Sequence, residues 1–146
     1  MRGYVAAYYM LNGRNNEAIA QYQEIQRQTP NSALVLNNLA NLYQREQDNR
    51  ALTTAEQALK LAPDNPAIQD TLGWILVEQG QAPRGLELLR KAVAKPPKVA
   101  SIRYHYAVAL ARTGDNIQAR KVLEDVLRHE PKFPEAEAAK ILLKNL

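Results

Sequence analysis

Apolar residues along the chain recur three and four places apart in short stretches, and the stretches are broken at regular points. Over Ala67 to Gln79 the apolar positions Ile68, Leu72, Ile75 and Leu76 fall on one helical face, and over Arg84 to Ala94 Leu86, Leu89 and Val93 do the same. Gly80 breaks the first helix. Pro83 suits the opening of the second, where its missing N–H is not needed, and Pro96-Pro97 closes it. The pattern therefore predicts a hairpin of two amphipathic helices.

That hairpin repeats. Pro30, Pro63, Pro97 and Pro131 are separated by 33, 34 and 34 residues. Small residues Ala6, Ala40, Gly73 and Ala107 run at 34, 33 and 34, and Ala18, Ala51, Gly85 and Ala119 at 33, 34 and 34. A fixed period in this range signals stacked units that share one continuous core. The small pairs fall where the two helices of a unit cross, so their backbones can approach closely. The expected organisation is one domain over 1–146, with repeats at 1–32, 33–65, 66–99 and 100–133 and a capping helix at 134–146.

In these residues the chain resembles the tetratricopeptide repeat, a helix-turn-helix unit of 34 residues. The second repeat carries Leu39, Ala40, Tyr43, Ala51, Ala58 and Pro63, with one residue deleted at the turn. The third carries Leu72, Gly73, Gly80, Ala92 and Pro97, with Leu76 where the family has an aromatic and Gly85 where it has alanine. The fourth carries Ala107, Gly114, Ala119 and Pro131, with Tyr106 and Leu110 as departures, and the first carries Val5, Ala6, Tyr9, Gly13, Ala18, Tyr22 and Pro30. The resemblance implies an all-α, right-handed superhelical solenoid of about four such units plus a C-terminal capping helix. The family's first helix would begin before Met1. Little chain precedes Tyr4, Tyr8 and Tyr9, so this tyrosine-rich edge is expected either to continue a longer array or to be covered by another copy. At the other end Pro134 is expected in the first turn of a helix whose Ala138, Ile141, Leu142 and Leu146 cover the last repeat.

Composition narrows the chemistry. The net charge of +4 divides unevenly: residues 1–83 carry 6 Lys/Arg against 8 Asp/Glu, and 84–146 carry 13 against 7. A basic half of that kind can attract an acidic surface or nucleic acid, with Arg90, Lys91, Lys95, Lys98 and Arg103 as candidates. Solvated helix faces are the plainer reading. There is no cysteine, and the two histidines, His105 and His129, lie without a second cluster of ligands, so no metal and no cofactor are expected. His129 reads as a helix-end residue and His105 as polar packing. The glycines fall at helix turns and form no phosphate loop. A non-enzymatic role follows. No apolar run approaches the roughly 20 residues of a membrane span, and no signal-peptide pattern opens the chain. It reads as soluble, cytoplasmic or periplasmic.

Binding is the stronger case, because stacked hairpins generate an extended concave surface. The resemblance implies that the first helix of each repeat lines it, which nominates Asn37, Asn41, Gln44 and Arg45 in the second repeat. Asp70, Trp74, Val77 and Glu78 follow in the third, and Tyr104, Val108 and Arg112 in the fourth. Helical spacing agrees for Asn37, Asn41 and Gln44, which lie opposite Leu36, Leu39 and Tyr43. The expected ligand is a protein or peptide segment. Trp74 is expected either in this groove or buried between the second and third repeats. The family's carboxylate clamp for chaperone tails does not fit, since its places hold Asn37, Asn41, Thr71, Ser101 and His105 and only Asn41 matches. The run Thr71 to Trp74, with Leu86 to Val93 and Tyr104 to Asp115, is similar to bacterial tetratricopeptide lipoproteins of exopolysaccharide and PEP-CTERM systems. That similarity implies work in the cell envelope. Two further readings stand beside the groove: self-association through the N-terminal edge, and nucleic-acid binding, which ranks last.

Overall fold

The protein, described from a computed structural model over residues 2–146, has only helices as regular structure among the described residues. The helices are α1 (Arg2–Leu11), α2 (Asn15–Gln28), α3 (Ala33–Arg45), α4 (Arg50–Leu61), α5 (Pro66–Glu78), α6 (Ala82–Val93), α7 (Ala100–Arg112), α8 (Asn116–His129) and α9 (Ala136–Lys144). Each odd helix packs on the even helix that follows, and each even helix on the next odd one. The odd helices α3, α5 and α7 also touch one another, which puts them on the inner, more closely spaced side of a curved stack. The architecture is a helical solenoid, as the resemblance implies.

Four turns join the pairs in one conformation. Gly13, Gln47, Gly80 and Gly114 all have positive φ, at 73°, 55°, 83° and 93°. In each turn the next residue's N–H reaches back to a carbonyl five residues upstream: Arg14 to Tyr9, Asp48 to Tyr43, Gln81 to Leu76 and Asp115 to Leu110, all at 2.8 Å. This is the hydrogen-bond closure that satisfies the last carbonyls of a helix. Gln47 does glycine's work there at a steric cost. The one-residue deletion in the second repeat lies after this turn residue, since Ala40 to Gln47 keeps the spacing of the other repeats while Gln47 to Ala51 is one shorter. The helix starts are held by Ser32, Asn65 and Asp115, whose side chains accept from the backbone N–H groups of Val35, Ala67 and Gln118.

The third hairpin is the tightest. A Cβ on Gly85 would stand 2.5 Å from the Gly73 carbonyl oxygen, and a Cβ on Gly73 would stand 2.8 Å from Leu89 Cγ. The two backbones meet directly, as the crossing of small residues predicts. A core of Tyr22, Leu39, Leu42, Tyr43, Leu72, Ile75 and Leu76 runs through the first three pairs. A second cluster of Ala107, Leu123 and Ala139, with Leu142, Leu143 and Leu146 against it, seats α9 on the fourth pair. The face differs from expectation. Ala138 and Ile141 point outward, and Ala139 and Leu143 take their place. Pro134 lies before α9, which begins at Ala136. So short a helix has apolar residues on adjoining stripes, and the bond from Ser101 Oγ to Glu135 Oε1 (2.6 Å) ties its entry to α7.

Candidate functional site

The inner row formed by α3, α5 and α7 carries the nominated residues, and the structure sorts them by what each already holds. Asn37 is only 8% exposed, and its Oδ1 is buried without a hydrogen-bond partner. A buried amide oxygen left unpaired typically costs about 1–3 kcal/mol. Asn41, one turn further along the same helix, is half-buried.

Toward the C-terminal ends of the odd helices the polar groups are engaged with one another. Gln44 donates to Glu78 Oε1 at 2.6 Å, linking α3 to α5. Arg45 donates to the Met10 carbonyl at 3.3 Å and Arg112 to the Val77 carbonyl at 3.1 Å. Both arginines occupy the same place in their repeats, and each satisfies a carbonyl in the last turn of the preceding odd helix, where cations are favoured. Glu78 holds that place in the third repeat and takes Gln44 instead.

Trp74 belongs to the junction between the third and fourth pairs, not the second and third. Its ring stacks on His105, with centroids 4.2 Å apart and planes 19° from parallel, and lies 6.2 Å from the Tyr104 ring. Beneath them Val77, Leu89, Val108 and Ala109 form a closed core cluster. Val77 is therefore fully enclosed and Val108 nearly so. Asp70 Oδ1 sits 2.7 Å from His105 Nδ1, and Glu135 Oε2 lies 3.9 Å from the other ring nitrogen. The imidazole is thus strung between a carboxylate on α5 and one at the start of α9, a packing role. Burial pushes the Tyr104 hydroxyl's pKa up, and the nearby Glu135 and Glu78 carboxylates reinforce this against Arg112. Tyr104 therefore stands in the inner row as a neutral hydroxyl able to donate or accept.

Outside the inner row the chemistry is structural. His129 Nδ1 lies 2.9 Å from the Asp125 carbonyl oxygen at the end of α8. Three of the five basic candidates are engaged within the chain: Arg103 pairs with Asp125, Arg90 donates to the Tyr106 hydroxyl, and Lys95 donates to the Asp64 carbonyl. No helix among the described residues is long and apolar enough to cross a membrane. At the first edge Tyr4 is 85% exposed and Leu11 86%.

Comparison with known proteins accounts for this architecture. Two tetratricopeptide repeat family models match, one over residues 6–66 and one over residues 76–142, and together they span most of the chain. The chain belongs to the tetratricopeptide repeat family. Such repeats generally mediate protein–protein interaction, and scaffolds built from them are generally non-enzymatic. Among curated proteins this tetratricopeptide chain is similar to the cellulose synthase operon protein C of Pseudomonas fluorescens (strain SBW25), 32% identical over 93 residues. That match takes in 63% of the chain but spans only 7% of the relative's length. Among solved structures it superposes on PilW, a widely conserved type IV pilus biogenesis factor, with a TM-score of 0.84 at 24% identity, covering 98% of this chain and 69% of that one. It also superposes on pilF of Pseudomonas aeruginosa, with a TM-score of 0.81 at 20% identity, covering 95% and 64%. At those identities the likeness is one of fold.

Two features of the inner row were out of reach of sequence reasoning. The Ser101–Glu135 bond joins residues 34 apart, one of them beyond the last repeat. The second is a hollow beside Gly3 and Ala7, whose only trace in the sequence is two small residues where later repeats carry larger ones.

Proposed function

We propose that this chain is a non-enzymatic interaction module that holds an extended segment of a protein partner along the inner row from Asn37 to Arg112. The observation that carries the reading is that Asn41, Trp74 and Tyr104 stand half-buried along one row of helices, with Asn37 one turn from Asn41. A carboxamide both donates and accepts, so the two asparagines suit a peptide backbone without dictating its side chains. Trp74 and Tyr104 supply amphipathic surface of the kind that dominates interface energetics. Gln44, Arg45, Asp70, Glu78 and Arg112, though engaged within the chain, frame the groove with both charges. Val77 and Val108 contribute through the shape of its floor. The relatives' roles, in a cellulose synthase operon and in type IV pilus biogenesis, support a setting in assembly at the bacterial envelope.

The test is a selection of displayed random peptides on the purified protein, followed by titration of those enriched. Asn41→Ala should weaken them about tenfold with an unchanged melting temperature. Peptides that bind this variant and Tyr104→Ala as tightly as the wild type would remove the groove reading.

A second reading, self-association, is favoured by the outward stripe of Tyr4, Tyr8 and Leu11 on α1, with Tyr8 59% exposed. Apolar surface of this kind is characteristic of contact faces. Sedimentation should show larger species as concentration rises, and Tyr8→Lys should disperse them; a monomer throughout would dispose of it.

A further inference from the structure

The solenoid offers the same site at successive junctions, and the chain fills it differently at each. Between the third and fourth pairs, Asp70 and Trp74 of α5 reach His105 of α7 and occupy the space. One junction earlier the corresponding places hold Asn37, Asn41 and Thr71, and at the first they hold Gly3, Ala7 and Asn38. With a hydrogen and a methyl group in place of a carboxylate and an indole, the first junction is left open. It forms a hollow of about 770 Å³ at the N-terminal end of the inner row, with Tyr4, Ala7, Ile25, Leu34, Val35 and Asn38 in its wall. The lining is predominantly apolar. Arg2 and Gln28 also line it, and deeper in the junction the Asn38 amide and the Tyr22 hydroxyl are joined by a 3.1 Å bond in which Asn38 Nδ2 donates. Neither bond partner consumes the Asn38 carbonyl oxygen, which keeps acceptor capacity at the place that His105 fills in the later junction.

The geometry points to this hollow as the receptor for a large aromatic side chain, an indole by preference, carried by the partner segment. The occupant's chemistry is set by the protein itself, which seats its own Trp74 at the equivalent place two junctions on. There the indole stacks on the residue in Asn38's register. In the first junction an incoming indole would find a largely apolar wall and, in the Asn38 carbonyl oxygen, an acceptor for its N–H, the combination that suits an anchor residue. Leu34, 69% exposed, stands at the rim, where a bound ring would cover it. This inference deepens the groove reading and rests on it for the identity of the anchor's carrier, although the hollow can be tested alone.

The probe is N-acetyl-L-tryptophanamide, titrated into the whole chain and followed by amide NMR. Binding should be roughly millimolar, as expected for one anchored side chain, with shifts concentrated at Ala7, Ile25, Val35 and Asn38. Ala7→Trp, which restores the indole found in the third repeat, should weaken the probe by at least about tenfold while keeping the melting temperature. Leu34→Ser, at an exposed position that folding does not need, should weaken it about threefold and covers the case in which Ala7→Trp fails to fold. Asn41→Ala should leave the probe's affinity unchanged even as it weakens groove peptides, so the two readings fail separately. An absence of shifts at these amides, or wild-type affinity in Leu34→Ser, would overturn the inference. So would concentration-dependent association that Ala7→Trp abolishes, because the occupant would then be a second copy.

Discussion

The two ends of the inner row are built oppositely from the same unit. At the third hairpin and its junction with the fourth, Gly85 meets Gly73 backbone to backbone, and Trp74, His105 and Asp70 fill the space between pairs. At the first hairpin the crossing residues are Ala6 and Ala18, and the junction with the second pair is a hollow beside Gly3 and Ala7. The contrast shows how a repeat protein acquires one distinctive place without changing its frame. Small residues at the hairpin crossing draw two helices together within a unit, whereas small residues on the inner face open room between units. The same residue type has opposite effects because it faces different neighbours.

The comparison can be broken most severely at the tight end. Gly85→Ala places there the residue that the first, second and fourth repeats carry, yet its Cβ would lie against a backbone oxygen that cannot rotate away. The hairpin must part, and overpacking of this kind costs up to about 3 kcal/mol. Chemical denaturation should show that loss. An unchanged midpoint would mean that the third hairpin is no tighter than the others. Trp74→Ala should make the filled junction resemble the hollow one. It should lose about 2 kcal/mol, below the range for a fully buried tryptophan because the ring is half-buried. Its protein should also show new shifts near His105 with the tryptophanamide probe, and silence there would mean that the two junctions differ in more than their filling.

Between the two ends lies the second pair, and two smaller effects sharpen its place. Gln47→Gly gives its turn the residue used by the other three and should raise stability by about 1 kcal/mol, read from the denaturation midpoint. Any loss would show that the Gln47 side chain has a role of its own. Asp48, just after that turn, accepts side-chain and backbone hydrogen bonds from Arg50, and these lower its pKa from 3.8 to about 2. Because the folded value is depressed, its contribution to stability is complete above about pH 3.8 and fades as the pH falls through about 2. A carboxyl-carbon titration should find Asp48 still ionised at pH 3 and normal in Arg50→Ala, and a normal value in the wild type would refute the pairing.

Much of the frame was legible in the sequence because it rests on short-range physics. Helical periodicity, the proline and glycine breaks and the small crossing residues each act within one hairpin. They predicted paired helices, the glycine contact of the third pair and a further helix near the end. The inner row was legible as a list but not as a site. Val77 belongs to the same stripe as Trp74 and Glu78, yet it is 0% exposed because α7 closes over it. Arg45 and Arg112 read as groove charges and turn out to serve helix ends in the neighbouring repeats. Trp74 packs forward onto the fourth pair, a direction that no spacing within its own helix expresses.

By itself, then, the sequence determined the unit: which stretches become helices, where they turn, and how nearly two of them can cross. Local backbone preference and apolar periodicity decide these within about thirty residues. Only the tertiary structure decided what lies between units, because the contacts of the inner row join residues 31 to 35 places apart, as in Trp74 to His105, Gln44 to Glu78 and Asp70 to His105. Their partners depend on how far each pair is turned against the next and on which side chains reach across. That is why Asn37 keeps an unpaired oxygen, Trp74 finds His105, and Gly3 and Ala7 leave a space.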